Sequence, residues 1–181
     1  AGPHEGNLLL DEPPGKTSVF LVHLLRKKLG VRKIGHTGTL DPFATGLMVM
    51  LVGRRYTKMA DQMQCSNKTY LAELFFGVET DSYDCDGREI ARSDLMPSKE
   101  EVEAALSLFQ GDVQQIPPMF SAKKQCGQRL YVLARQGKEV ERKPVLIHLQ
   151  IELLEYCYPY LRLCIACSKG TYIRSIAYDL G

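Results

Sequence analysis

Apolar positions recur along this chain with two different periods, and each change of period marks an element. Residues 7–11 are an apolar run of strand length, ended by Pro13, Pro14 and Gly15, which turn the chain. Thr17 or Ser18 is placed to cap a helix over residues 19–29, with Gly30 as its C-terminal stop. Residues 35–42 are rich in Gly, Thr and Asp and read as a loop. Residues 46–52 are apolar without interruption, which predicts a buried strand. Residues 68–77 alternate as a strand does, and residues 81–87 form an acidic turn.

Ser98 opens the strongest helical pattern. With Glu101 it makes a capping box, Val102, Ala105, Leu106 and Phe109 line one face, and Gly111 is expected to close the helix. Ile116, Pro117, Pro118 and Met119 must be extended, because a residue before proline avoids the helical region. Residues 128–136 predict a short helix stopped by Gly137. Residues 145–156 and 160–167 predict an antiparallel pair of strands, and residues 171–180 a last helix. Strands and helices do not alternate regularly, so the fold class is α+β. The chain has 181 residues and no internal repeat or linker, so one domain is expected, two small ones at most.

Composition narrows the function classes. The chain is 45% apolar and 24% charged, which is ordinary for a soluble domain with a sizeable core. No apolar run reaches the ~18 residues a membrane helix needs. Residues 1–7 carry no basic stretch followed by an apolar one, so the cytoplasm is the expected location. The net charge of +2 is small, but the cations cluster. One group holds Arg26, Lys27, Lys28, Arg32 and Lys33, and another Arg54, Arg55 and Lys58. A third spans residues 123–143, from Lys123 and Lys124 to Arg142 and Lys143. These are either solvated faces or, if folding gathers them, a footprint for a polyanion.

Three motifs fail on inspection. Gly15, Lys16 and Thr17 resemble the end of a phosphate loop, but Leu10 stands where its first glycine is required. Asp84, Asp86 and Gly87 resemble a calcium loop whose first and last ligand positions hold Ser82 and Ser93. The six cysteines, at 65, 85, 126, 157, 164 and 167, include one CxxC pair, Cys164 and Cys167, with no second ligand pair for zinc. That pair lies in a strand, where residues three apart face opposite ways, so buried, reduced thiols are expected.

The densest chemistry lies in Gly35, His36, Thr37, Gly38, Thr39, Leu40, Asp41 and Pro42, continued by Ala44, Thr45 and Gly46. The glycines and small hydroxyl residues let the backbone fold tightly and a ligand approach closely. Pro42 biases Asp41 to an extended backbone and so limits where its carboxylate points. Asp41 is either a turn aspartate bonding its own backbone or a presented carboxylate. Likewise His36 can be a turn residue and Tyr70 a core residue.

Residues 35–46 resemble the catalytic signature of the TruB family of pseudouridine synthases, and the resemblance runs on in order along the chain. Leu10-Asp11-Glu12-Pro13 with Gly15, Thr17 and Ser18 is similar to the opening block, with Glu12 where lysine is usual. Lys68-Thr69-Tyr70 with Ala72 is similar to the second motif; Gly77, Thr80, Asp81, Asp84 and Gly87 to the next. Pro117, Pro118, Ser121, Ala122, Lys123, Gly127, Leu130, Tyr131, Ala134 and Arg135 match a further block. Residues 167–175, with Asp179, Leu180 and Gly181, match the last.

The resemblance implies the pseudouridine synthase fold, a mixed, mostly antiparallel sheet with flanking helices and a central active-site cleft. It implies an isomerase that converts the uridine at position 55, in the T-arm of tRNA, to pseudouridine. No cofactor, metal or obligatory protein partner is implied, and a monomer is expected. The family's catalytic domain runs past the length seen here and is often followed by a small PUA domain. Residues 1–181 are therefore expected to be an incomplete catalytic domain without a PUA domain.

Residue by residue, the resemblance makes Asp41 the catalytic carboxylate, Tyr70 the residue stacking on the target base, and Arg174 the partner of Asp41. His36 would help hold the rearranged RNA loop and Tyr172 would line the pocket. Lys16 and Lys58 are carried over as phosphate contacts, and Gly38, Thr39, Lys123 and Lys169 as further substrate contacts. The chemistry fits these residue types. A C–N glycosidic bond breaks, the uracil turns, and the ring rejoins through carbon, with no net oxidation. A carboxylate can attack C1′ of the sugar or take a proton from C2′; the sequence leaves both open. A neighbouring arginine keeps it ionised. The uracil must leave its stack, and stacking on an aromatic ring offsets part of that cost. Two other readings are a guide-RNA-dependent rRNA synthase of the related archaeal and eukaryotic branch, and a non-catalytic chaperone that only opens the T-arm.

Overall fold

The computed structural model describes residues 4–63, 67–125 and 127–181, so Cys65 and Cys126, expected to be buried thiols, lie outside the described residues. The chain divides into two units, Ala1–Ser66 and Asn67–Gly181.

In the first unit, β1 (Gly6–Glu12) leads through a turn into α1 (Ser18–Leu29), followed by β2 (Ile34–His36), β3 (Gly46–Val52) and two single turns of helix, α2 (Arg54–Thr57) and α3 (Ala60–Met63). Thr17 caps α1, its hydroxyl oxygen accepting from the Phe20 amide at 3.2 Å. Gly30 ends it in the left-handed region at φ 65°, where a Cβ is disfavoured. The strands form an antiparallel sheet in the order β1-β3-β2. Leu21, Val22 and Leu25 of α1 pack on Ile34, Met48, Met50 and Val52, which share one face of the sheet. The uninterrupted apolar run of β3 does not mean burial on both faces throughout: Leu47, on the other face, is 67% exposed.

The second unit runs β4 (Lys68–Phe75), β5 (Val78–Thr80), β6 (Glu89–Arg92), α4 (Lys99–Ser107), β7 (Gly111–Gln115), β8 (Lys124–Gln125), β9 (Gln128–Arg129), α5 (Leu130–Arg135), β10 (Val145–Cys157), β11 (Tyr160–Cys167) and α6 (Ile173–Leu180). Its main sheet has the order β4-β11-β10-β7, every pairing antiparallel. Ile147, Leu149 and Ile151 of β10 and Leu161, Leu163, Ile165 and Cys167 of β11 follow the strand period of two and are all buried. Val102 and Leu106 of α4 and Ile176 of α6 join them in one core. Leu163, fully buried at its centre, is expected to cost about 2–5 kcal/mol when changed to Ala, read as a lower urea midpoint.

Several expectations change. The capping box at Ser98 and Glu101 is present, but Leu108 ends α4 and Gly111 instead begins β7. Residues 128 and 129 pair with 124 and 125 as a hairpin, so α5 starts at Leu130. The last helix starts at Ile173 with Tyr172 as its N-cap. Cys85 and Cys157 are exposed and Cys164 is half-buried, so of the described thiols Cys167 alone is buried. Cys164 and Cys167 do divide between the two faces of β11 as the period requires.

Candidate active site

In the first unit the loop between β2 and β3 presents Asp41. The Ala44 amide donates to the Asp41 carbonyl at 2.9 Å, closing a turn with Pro42 at the position whose φ proline pre-sets. The Gly15 amide donates to the Pro42 carbonyl at 2.8 Å, which ties this turn to the one after β1. At the loop's other end the Thr37 amide donates to the Val49 carbonyl at 3.1 Å. His36 Nδ1 lies 2.6 Å from the Gly38 carbonyl. That bond needs the proton on Nδ1, so Nε2 is the ring nitrogen left for other work. Asp41, His36 and Gly38 are half-buried and Thr39 is exposed. Lys16, exposed beside the 13–15 turn, sits 4.9 Å over the Phe20 ring. Lys58 is exposed at the C-terminal cap of α2.

The second unit presents Tyr70, Tyr172 and Arg174. Tyr70 lies on β4 opposite Ile165, half-buried, with its ring against the core. Tyr172 is set by Gln115, whose amide oxygen accepts from the Tyr172 amide at 2.8 Å and whose amide nitrogen donates to the Tyr172 carbonyl at 3.0 Å. This clamp, made by a side chain only 4% exposed, fixes where α6 begins.

Arg174 is buried in the first turn of α6, where the helix dipole disfavours a cation. The 81–87 turn compensates. Arg174 Nη1 donates to the Ser82 carbonyl at 3.1 Å, and Nε lies 3.8 Å from Asp84 Oδ2. Both side chains of that pair are nearly sealed from water, at 8% and 9% exposed. The turn is itself pinned: Ser82 Oγ donates to Asp84 Oδ1 at 2.6 Å, the Asp86 amide to the same oxygen at 3.0 Å, and the Arg88 amide to Asp81 Oδ1 at 2.9 Å. Position 87 favours glycine, since a Cβ there would crowd the Ser82 hydroxyl and, at 3.0 Å, the Ser82 amide nitrogen. A turn with the look of a calcium loop is thus an arginine holder. Among the described residues no cluster of His, Cys, Asp or Glu is arranged to bind a metal ion.

Lys123 lines a basic recess with Lys124, Gln125, Leu130, Arg142 and Lys143, while Lys169 is exposed before α6. The third cationic cluster of the sequence is therefore partly gathered in space. Ser82 and Asp84, which hold Arg174, and Gln115, which holds Tyr172, are residues that the sequence reading did not single out as a site.

Comparison with known proteins places the chain in a family. Residues 26–173 match the N-terminal domain of the TruB family of pseudouridylate synthases. The tRNA pseudouridine synthase B of Protochlamydia amoebophila is 63% identical over 177 residues, 98% of this chain and 68% of that protein. That of Chlamydia muridarum is 52% identical over 179 residues, 99% of this chain and 74% of that protein. Among solved structures, a Cbf5–Nop10–Gar1 complex superposes with a TM-score of 0.71 at 25% identity, covering 97% of this chain and 43% of the matched one. An H/ACA RNP bound to a substrate RNA shares the fold, with a TM-score of 0.66 at 22% identity over 97% of this chain and 42% of that one. Among the described residues no helix is long and apolar enough to cross a membrane. With its α+β architecture, a family model matched over residues 26–173 and relatives of this identity, the chain belongs to the TruB pseudouridylate synthase family.

Proposed function

We propose that this chain isomerises a uridine of tRNA to pseudouridine, the target being position 55 in the T-arm, with Asp41 as the catalytic carboxylate. The observation that carries the reading is the Asp41 turn, closed by the Ala44 amide and tied to the 13–15 turn, in a chain 63% identical to a tRNA pseudouridine synthase B. A carboxylate on a pinned turn is held in place before substrate arrives, as a nucleophile or base should be. Either attack on C1′ or removal of the C2′ proton begins the same sequence of C–N cleavage, base rotation and C–C bond formation. Arg174 then pairs with Asp41 and keeps it ionised, Tyr70 stacks on the extruded uracil, and Tyr172 walls the pocket.

His36 supports the opened RNA loop. Lys16, Lys58, Lys123 and Lys169, with the backbone at Gly38 and Thr39, contact the RNA. The protein works as a cytoplasmic monomer on tRNA alone, and residues 1–181 belong to its catalytic domain. Lys123→Ala is expected to weaken tRNA binding and to lower the slope of log affinity against log salt by about one, as loss of one phosphate contact does. Filter binding across a salt series checks this.

A guide-RNA-dependent reading rests on the likeness to the Cbf5–Nop10–Gar1 complex, at 25% identity. The much higher identity to the tRNA enzymes favours the first. A bare T-arm stem-loop separates them: conversion without added protein or guide RNA supports the tRNA reading, and conversion only with such partners contradicts it.

A further inference from the structure

Tyr83 is, among the described residues, the non-glycine residue with positive φ, at 66°. Bulky side chains seldom take this conformation, so the surroundings must hold it. Its ring stacks on Tyr178, centroids 4.0 Å apart and planes 16° from parallel. Tyr178 lies one helical turn beyond Arg174 on the same side of α6. The same turn therefore meets the same helix at two successive rungs. On the first, the Ser82 carbonyl and Asp84 carboxylate hold Arg174; on the second, Tyr83, which sits between them in sequence, holds Tyr178.

A third group lies close by. The Arg142 guanidinium, with a side chain only 13% exposed, donates to the Pro117 carbonyl at 3.2 Å and lies 3.6 Å from Glu139. Burial, and then Tyr178, push the Tyr83 phenol above its ordinary range against the pull of Arg142, so the hydroxyl stays neutral.

We propose that Tyr83 is a positioning residue for Arg174: stacked on Tyr178, it locks the 81–87 turn onto α6 and so fixes the direction of the guanidinium. The inference rests on the role given to Arg174 above. Without the ring the turn keeps its internal hydrogen bonds but loses its second attachment to the helix, and Arg174 gains freedom to swing.

Two substitutions separate this from a merely structural role. Tyr83→Asn removes the ring yet suits a left-handed backbone, so the fold should survive. Tyr83→Phe keeps the stack. The side-chain Nε–H resonance of Arg174 is expected to shift and exchange faster with water in Tyr83→Asn and to stay near its wild-type position in Tyr83→Phe. Single-turnover conversion at saturating tRNA should fall about tenfold or more in Tyr83→Asn with affinity unchanged, and recover in Tyr83→Phe. An Arg174 resonance and a turnover rate both unaltered by Tyr83→Asn would overturn the proposal. So would a loss of rate that tracks weaker tRNA binding. The resonance is read whether or not the chain converts uridine, so failure of the functional reading leaves this test standing.

Discussion

Asp41→Asn is expected to lower single-turnover pseudouridine formation by about 10⁴-fold or more, with tRNA affinity held within about threefold. The substitution keeps the volume of the side chain and removes only its charge and its basicity. The turn that presents it survives, because its closing bonds are made by the backbone: the Ala44 amide to the Asp41 carbonyl, and the Gly15 amide to the Pro42 carbonyl. What disappears, on the proposed mechanism, is the carboxylate that attacks C1′ or takes the C2′ proton, and an amide does neither at neutral pH. Stopped-flow or quench assays at saturating tRNA give the rate, and filter binding gives the affinity. A large drop in affinity with an intact rate would place Asp41 in RNA binding rather than in the chemistry.

Arg174→Lys should fold normally and lose about 10²-fold in rate, because lysine keeps the charge but not the fork of donors. The guanidinium uses separate nitrogens for the Ser82 carbonyl and the Asp84 carboxylate, and a single ammonium cannot reproduce both directions. Arg174→Met should lose stability as well, by about 3 kcal/mol, since it leaves Asp84 nearly sealed from water without its cation. The loss falls at the low end for a broken buried pair because Asp84 keeps its bonds from Ser82 and Asp86. Urea unfolding separates the two variants: Arg174→Lys near the wild-type midpoint, Arg174→Met clearly below it. A fully active Arg174→Met would remove Arg174 from the site.

The long elements were legible because local chemistry and tertiary structure agree there. Helix α1 carries its cap at Thr17 and its stop at Gly30, α4 its capping box at Ser98, and β11 and the first part of β10 their alternation. The short pieces, β2, β6, β7 and the hairpin of β8 and β9, have too few residues to show a period and owe their state to the strand beside them. Gly111 illustrates the ambiguity, since glycine after a helical stripe reads as a stop even where another residue has already ended the helix.

The site divides in the same way. Asp41, His36 and Gly38 announce themselves as a dense local string, and two of the hydrogen bonds that shape the loop carrying them lie within it. The surroundings of Arg174 do not. Ser82 acts through its backbone carbonyl, 92 residues away in sequence, so the identity of its side chain carries no sign of the contact. Asp84 was visible as an acidic loop residue, but only the fold sets it against an arginine. Gln115 looks like any polar residue at the end of a strand until the start of α6 is laid beside it.

The most direct test uses an unmodified tRNA transcript, mapped for pseudouridine at every position after treatment with the wild-type chain or with Asp41→Asn. The account predicts one new pseudouridine, at position 55, with the wild type and none with the variant. Conversion at that position by Asp41→Asn, or a wild-type chain that modifies no uridine, would contradict it.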